Sequence, residues 1–526
     1  MIRGPRRVEA RLSVTAALIV VAPLRVHASP RCATPAARAQ THDGLPPRPT
    51  EGGLWSYAAD DEVDFHEDPS GLVRVHYAAA GPSQTLLEDA DQSGVPDYVE
   101  AVAEVAVEGL GLYADQGFRP PVTEAALGLG ALGGSEALDI YLVDFQGSSD
   151  GVFSTDACTS APRHCTGWIG LENDFAGYSY PSLQYALDTV VIHELFHAVQ
   201  SAYDGDQPVW FSEGTATWAQ TLVIPASGDF LAKCDAYLAL SDRPIDKPPT
   251  GPVQSFAYGT ALFWVFLDTR HGAPMNLGLQ LATESEDGDD VDIIAGLADL
   301  LLELGDDLPS AWSEFARLNL ATGPRAGAWP SHSFAAQLDG VPEEGAGPAI
   351  EDDARFSPLA ANYYRLEHAG GPLAVGTDTG HPALALSVFP VADGALDGPL
   401  EQPLASWWAE APAVVALGDA PAGGYWLVGS LSEQAAASAK TRLCFGDPTF
   451  VAACLDTEEP GDEGGSETGA GDETDETDET DETEGDEDLG LDDDGAGCGC
   501  RSDPEPRGAG WPALLLVASL AFRRRR

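Results

Sequence analysis

Residues 183–203, LQYALDTVVIHELFHAVQSAY, place apolar side chains on more than one face of a helix, with Ser182 in position to cap its start. A helix of that kind belongs inside a protein, yet its centre carries His193, Glu194 and His197. Buried groups of that polarity need partners. Spacing suggests one: residues four apart share a helix face, so both imidazoles can reach a single zinc ion while Glu194 projects beside a water on the metal. The competing reading, two ordinary core or surface histidines, requires the whole HExxH pattern to be coincidental.

A catalytic zinc wants a third protein ligand and one open position. The extension that would supply a third histidine is missing, because Gln200 and Tyr203 stand where Gly and His would be needed. Sixteen residues after His197 comes Glu213, within WFSEGTATW, where Ser212 is expected to cap a second helix and set Glu213 in its first turn. Glu213 is the natural third ligand; otherwise it is a helix-start glutamate favoured by the helix dipole. Glu194 is then the general base. Tyr258, in FAYG before another apolar helix, is the candidate donor to a developing oxyanion, with core packing as its alternative. His271 is a weaker candidate, better explained as part of a helix C-terminus.

A second cation pattern lies upstream. DADQSGVPDYVE places Asp89, Asp91, Ser93, Asp97 and Glu100 at positions 1, 3, 5, 9 and 12 of a twelve-residue loop, with Gly94 at position 6. Those are the oxygen positions of an EF-hand calcium loop. Pro96 at position 8, and no clear helix before Asp89, argue instead for a polar turn in which Asp97 caps the next helix.

Around these motifs the chain divides by texture. Residues 1–28 read as an export signal, with early arginines, an apolar run and a small-residue cleavage site. Residues 29–52 read as a flexible leader or short propeptide with little to bury. From 53 to 325, strand-like segments (72–77, 138–145, 167–171) precede helical ones (213–222, 258–269, 290–304), which predicts an α+β domain. Short β-prone pieces from 350 to 455 predict a small all-β sandwich. Residues 456–497 repeat Asp-Glu-Thr as an acidic spacer, and 498–526 carry Cys498, Cys500, a short apolar run and four terminal arginines.

Net charge is −57 with three lysines in 526 residues, so no basic stripe exists to meet phosphates and nucleic-acid binding is excluded. The cysteines fit an oxidising compartment. Cys158 with Cys165, and Cys444 with Cys454, are close enough in sequence to close small loops; Cys32 and Cys234 are either a third bridge or free thiols.

HELFHAVQ followed by WFSEGTATW resembles the gluzincin metallopeptidases, in particular those of the peptidase-MA type. In thermolysin-like members an Asp four residues after the ligand Glu orients a ligand histidine; Thr217 stands there, so the support of His193 is open. With LVRVHY, the DADQSGVPDYVE loop and LDIYLVDF, residues from about 70 to 270 resemble a family of myxobacterial metalloproteases, and the C-terminus resembles the MYXO-CTERM sorting signal. The resemblance implies a zincin-like metallopeptidase domain with Zn2+ at His193, His197 and Glu213; structural Ca2+ is expected from the loop pattern alone. It also implies export, processing by envelope sorting machinery, membrane contact only through the C-terminal anchor, and an extracellular protein or peptide substrate. The alternative is a non-catalytic surface adhesin on the same scaffold.

Overall fold

The computed structural model describes residues 47–52, 55–249, 255–272, 274–285, 291–327, 329–432 and 437–456. The signal-like segment, most of the expected leader with Cys32, the acidic stretch beyond 456 and the C-terminal segment expected to be a sorting signal lie outside them. Among the described residues no helix is long and apolar enough to cross a membrane.

The chain is α+β. Strands β1 (Glu62–Glu67), β2 (Val73–Ala80), β3 (Leu138–Val143), β4 (Gly151–Cys158) and β5 (Cys165–Glu172) form one sheet in the order β1-β2-β3-β5-β4. The three inner strands run parallel and both edges antiparallel. Inner strands covered on both sides read as continuous apolar runs, and β5 is buried along its whole length. Period-two alternation sorts their side chains: Ile140 and Leu142 join the main core, while Tyr141 and Val143 face a smaller one shared with Trp55 and Tyr57. A Cys158–Cys165 disulfide closes the β4–β5 hairpin.

Helices α1 (Asp97–Asp115) and α2 (Leu183–Gln200) contribute to the main core with the sheet. Ser182 caps α2 as the sequence predicts, its Oγ accepting the N–H of Tyr185, worth about 1 kcal/mol. Phe196 on α2 is fully buried, its ring 5.2 Å from Tyr113, 5.3 Å from Phe118 and 5.7 Å from Trp218. Truncating such a residue to Ala costs about 3–5 kcal/mol.

Next come α3 (Val209–Gln220), α4 (Gly228–Leu238), α5 (Ser255–Gly259), α6 (Ala261–His271), α7 (Pro274–Ala282), α8 (Ile293–Glu303) and α9 (Leu308–Leu320). The single helix predicted over 258–269 is two, because the hydroxyl of Thr260 turns back onto the carbonyls of Ala257 and Trp210. Helix α3 starts at Val209, not at Ser212. Pro208 takes the N-cap position, where the absence of an N–H and a fixed φ cost nothing, so Ser212 and Glu213 fall inside the helix.

Strands β6 (Gly345–Gly347), β7 (Ile350–Phe356), β8 (Ala360–His368), β9 (Gly371–Thr377), β10 (Leu384–Pro390), β11 (Ala405–Trp408), β12 (Ala413–Ala420), β13 (Gly423–Leu431) and β14 (Ala439–Gly446) make two sheets. Their orders are β11-β10-β13-β8-β6 and β12-β9-β14-β7, and one apolar core draws on both. Helix α10 (Pro448–Leu455) is tied to β14 by the Cys444–Cys454 disulfide. The five-stranded sheet also reaches the main core: Phe389, Trp426 and Val428 belong to the same cluster as Trp312 and Phe315. Hydrogen bonds cross that seam, among them those from the Tyr363 hydroxyl to the Ala316 carbonyl (3.0 Å) and from the Trp312 indole to the Ala360 carbonyl (3.4 Å).

Within residues 47–52, expected to belong to a flexible leader, Arg48 and Pro49 are buried. Arg48 is 2% exposed; its guanidinium bonds Asp139 (2.5 Å), Asp156 (2.6 Å), Glu124 and the Tyr141 hydroxyl (3.1 Å). Three carboxylates gathered from separate segments supply a partner that composition alone does not reveal.

Candidate metal centre

Every side chain of α2 from Thr189 to Gln200 is buried, including both histidines and Glu194. Helix α3 lies against α2 and brings Glu213 to them. Nε2 of His193 is 3.1 Å from Oε2 of Glu213, Nε2 of His197 is 3.5 Å from the same oxygen, and the two Nε2 atoms are 3.2 Å apart. The close fit of α3 depends on Gly214, where an added Cβ would lie 2.0 Å from Thr260 Oγ1 and 2.6 Å from Trp264 Nε1. These three residues form one of two groups, among the described residues, whose ligand atoms could hold a metal ion.

Hydrogen bonding fixes the tautomer of His197. Gln200 donates through Nε2 to the Ser212 carbonyl and to Thr215 Oγ1, both at 2.8 Å, and Thr215 donates onward to the Phe211 carbonyl. The amide oxygen of Gln200 therefore faces Nδ1 of His197 at 2.7 Å and accepts its proton. The lone pair of His197 is left on Nε2, aimed at Glu213. The amide of Gln220 performs the same service for His193, with its nitrogen placed 3.2 Å from Nδ1 and its oxygen, among the described residues, without a partner. A half-turn of that amide puts the oxygen on Nδ1–H. Support thus comes from two glutamines, and Thr217 plays no part in it.

Charge agrees with this geometry. Burial pushes the pKa of His193 down to about 4, so its imidazole is neutral at pH 7. Burial works against ionisation of Glu213, but His197 and His193 outweigh it and hold the carboxyl well below the usual carboxylate range. A neutral His193 and an ionised Glu213 are protonation states that a divalent cation requires of its ligands. Oε1 of Glu213 is buried with no hydrogen-bond partner among the described residues, an arrangement costly to fold around unless a cation takes it. The donor set fits zinc.

Glu194 is 1% exposed and faces edge strand β4: an added Cβ at Gly151 would fall 2.7 Å from its Cγ and 2.8 Å from its Oε1. Tyr258 is buried beside His193, ring centroids 5.9 Å apart. Lys233, paired with Asp229 at 2.7 Å, stands 4.7 Å over the Tyr258 ring. His271 is elsewhere, 3.0 Å from Asp306 at the end of α6. Sequence reasoning missed Gln200, Gln220, Gly151 and Lys233. Only Gln200 carried a readable signal, being three residues after His197 on the same helix.

In the upstream loop Asp89, Asp91 and Asp97 come together as the second group, which does not include Glu100. The Ser93 hydroxyl bonds the carbonyl of Val95 (3.2 Å), and Glu100 has already turned into α1. The aspartates accept backbone N–H groups of Ala90, Ser93 and Gly94. Asp97 is not a cap; Pro96 occupies that position. Cys234 is a buried free thiol. In comparisons with known proteins, neither a protein-family model nor a curated protein matches this chain.

Proposed function

We propose that the protein is a zinc-dependent endopeptidase built on a zincin-like domain, exported and held at the cell envelope, acting on extracellular proteins or peptides. The observation that carries the reading is the tautomer chain from Thr215 and Ser212 through Gln200 to His197, which aims an Nε2 lone pair at a buried, ionised Glu213.

His193 and His197 would hold the ion through Nε2 and Glu213 through its carboxylate. Zinc bound there supplies Lewis acidity, making a water acidic enough to attack near neutral pH and polarising the peptide carbonyl. Glu194 takes the proton of the attacking water and returns it to the leaving amine. The Tyr258 phenol donates to the oxyanion that develops on the carbonyl oxygen, beside the positive charge of Lys233. Close burial of the group keeps bulk water away from these transfers. Export and envelope attachment rest on the sequence at the two ends of the chain. The Asp89, Asp91 and Asp97 cluster, all oxygen donors, suits a structural Ca2+.

The test is zinc content and casein hydrolysis of the full chain beside Glu194→Ala and Glu213→Ala. The reading expects one zinc per chain, hydrolysis abolished with metal retained in Glu194→Ala, and weakened metal binding in Glu213→Ala. A parent that binds no zinc sinks it. Zinc without cleavage of any protein substrate favours the adhesin reading.

A further inference from the structure

The seam between the helices and the five-stranded sheet opens, beside edge strand β11, into a cleft of about 260 Å3 that the proposed peptide chemistry does not use. Two periodicities build it. On α9, Ser310, Ser313, Glu314 and Arg317 recur at helical spacing and share one face. Across from them, antiparallel pairing sets Ser387 opposite Ser406 and Ala385 opposite Trp408, while the intervening Leu384, Leu386 and Val388 point into the core between the sheets.

The charges in this cleft are unevenly paired. Arg270, on one wall, is taken by Asp306 at 2.6 and 3.0 Å and by Glu314. Arg317 donates through Nε to the Ser313 carbonyl at 3.2 Å, and among the described residues no carboxylate lies within ion-pair distance of it. A half-buried guanidinium that Glu314 reaches only at longer range, with no carboxylate in contact among the described residues, is unexpected in a chain of net charge −57. Beside it the Trp408 indole is 38% exposed.

We propose that this cleft binds an acidic sugar, a pyranose bearing a carboxylate. Guanidinium and carboxylate match in a two-pronged hydrogen-bonded pair. The C–H face of a sugar ring covers an exposed indole, and ring hydroxyls exchange hydrogen bonds with Ser387 and Ser406. The volume falls just below the roughly 300 Å3 at which drug-sized pockets begin, which suits one or two sugar rings and excludes a helix or a folded partner. A peptide C-terminus would satisfy Arg317 but leave the row of hydroxyls unused. The site is separate from the metal group and does not depend on the peptidase reading.

The experiment titrates the full chain with the trisaccharide of galacturonic acid, following heat and tryptophan fluorescence, beside maltotriose, a free tripeptide, and the variants Arg317→Lys, Arg317→Met, Trp408→Ala and Glu194→Ala. Saturable binding of the acidic trisaccharide alone is expected, weakened about tenfold or more by Arg317→Met and by Trp408→Ala, and unchanged in Glu194→Ala. Because Trp408 is exposed, its variant keeps the test open if an Arg317 variant melts early. Absence of binding, equal binding of maltotriose, displacement by the tripeptide, or indifference to both substitutions in folded protein overturns the proposal.

Discussion

The amide oxygen of Gln200 accepts the Nδ1 proton of His197 at 2.7 Å, and the same amide's nitrogen is anchored on α3, the helix that carries Glu213. One side chain thus sets the direction of a ligand on α2 from the helix of its co-ligand. Replacing Gln200 with Leu removes both anchors. Zinc affinity, measured by competition with a chelator, is expected to fall about 10–100-fold; an unchanged affinity would show that the tautomer needs no such support.

Gly151 admits β4 against Glu194. In Gly151→Ala the new methyl group collides with Cγ and Oε1 of the glutamate, which must swing away. Zinc content should stay at parent level while kcat drops, by about tenfold at least, a fraction of the 10²–10⁴ that a general base contributes. Loss of metal and activity together would mean that the strand, not Glu194, had been disturbed.

The metal-free protein is expected to weaken in mild acid. The imidazole of His193 titrates at its ordinary 6.5 in the unfolded chain but only at about 4 once buried. Between those values the unfolded state holds the extra proton, so stability is full above pH 6.5 and is lost as pH falls toward 4. At ~1.36 kcal/mol per unit the loss approaches about 3 kcal/mol. Urea midpoints of chelator-treated protein at several pH values measure it; a flat profile across that window would contradict the burial argument.

Arg48 is the single cation set among Glu124, Asp139 and Asp156 in its cluster. Arg48→Met leaves those carboxylates buried against one another, and breaking a buried pair in that way costs about 3–5 kcal/mol. Thermal unfolding should shift down accordingly. If the melting curve does not move, residues 47–52 are not bound to the rest of the protein in solution.

Much of this site can be read from the sequence because its spacing is local. Four residues between two histidines on an apolar helix is a statement about one helix face, and the next carboxylate in a helical frame supplied Glu213. What escaped depends on contacts between distant segments. Gln220 reaches His193 only because α3 begins at Val209, just after Pro208, and runs three turns; Gly151 meets Glu194 from a strand whose GVFSTDAC alternates poorly; Arg48 finds carboxylates from three other segments. In the upstream loop the aspartates converge, but a helix beginning at Asp97 carries Glu100 away from them, which linear spacing does not reveal.

The hydrogen bonds from Tyr363 to α9 and from Trp312 to β8, laid over a shared core, bear on how the later sheets can behave. They cannot swing as a tethered appendage, and cutting them off would strip the helices of their cover. Whatever lodges beside Trp408 is therefore held on a fixed bearing from His193, so the half that carries the histidines and the β-rich half move together.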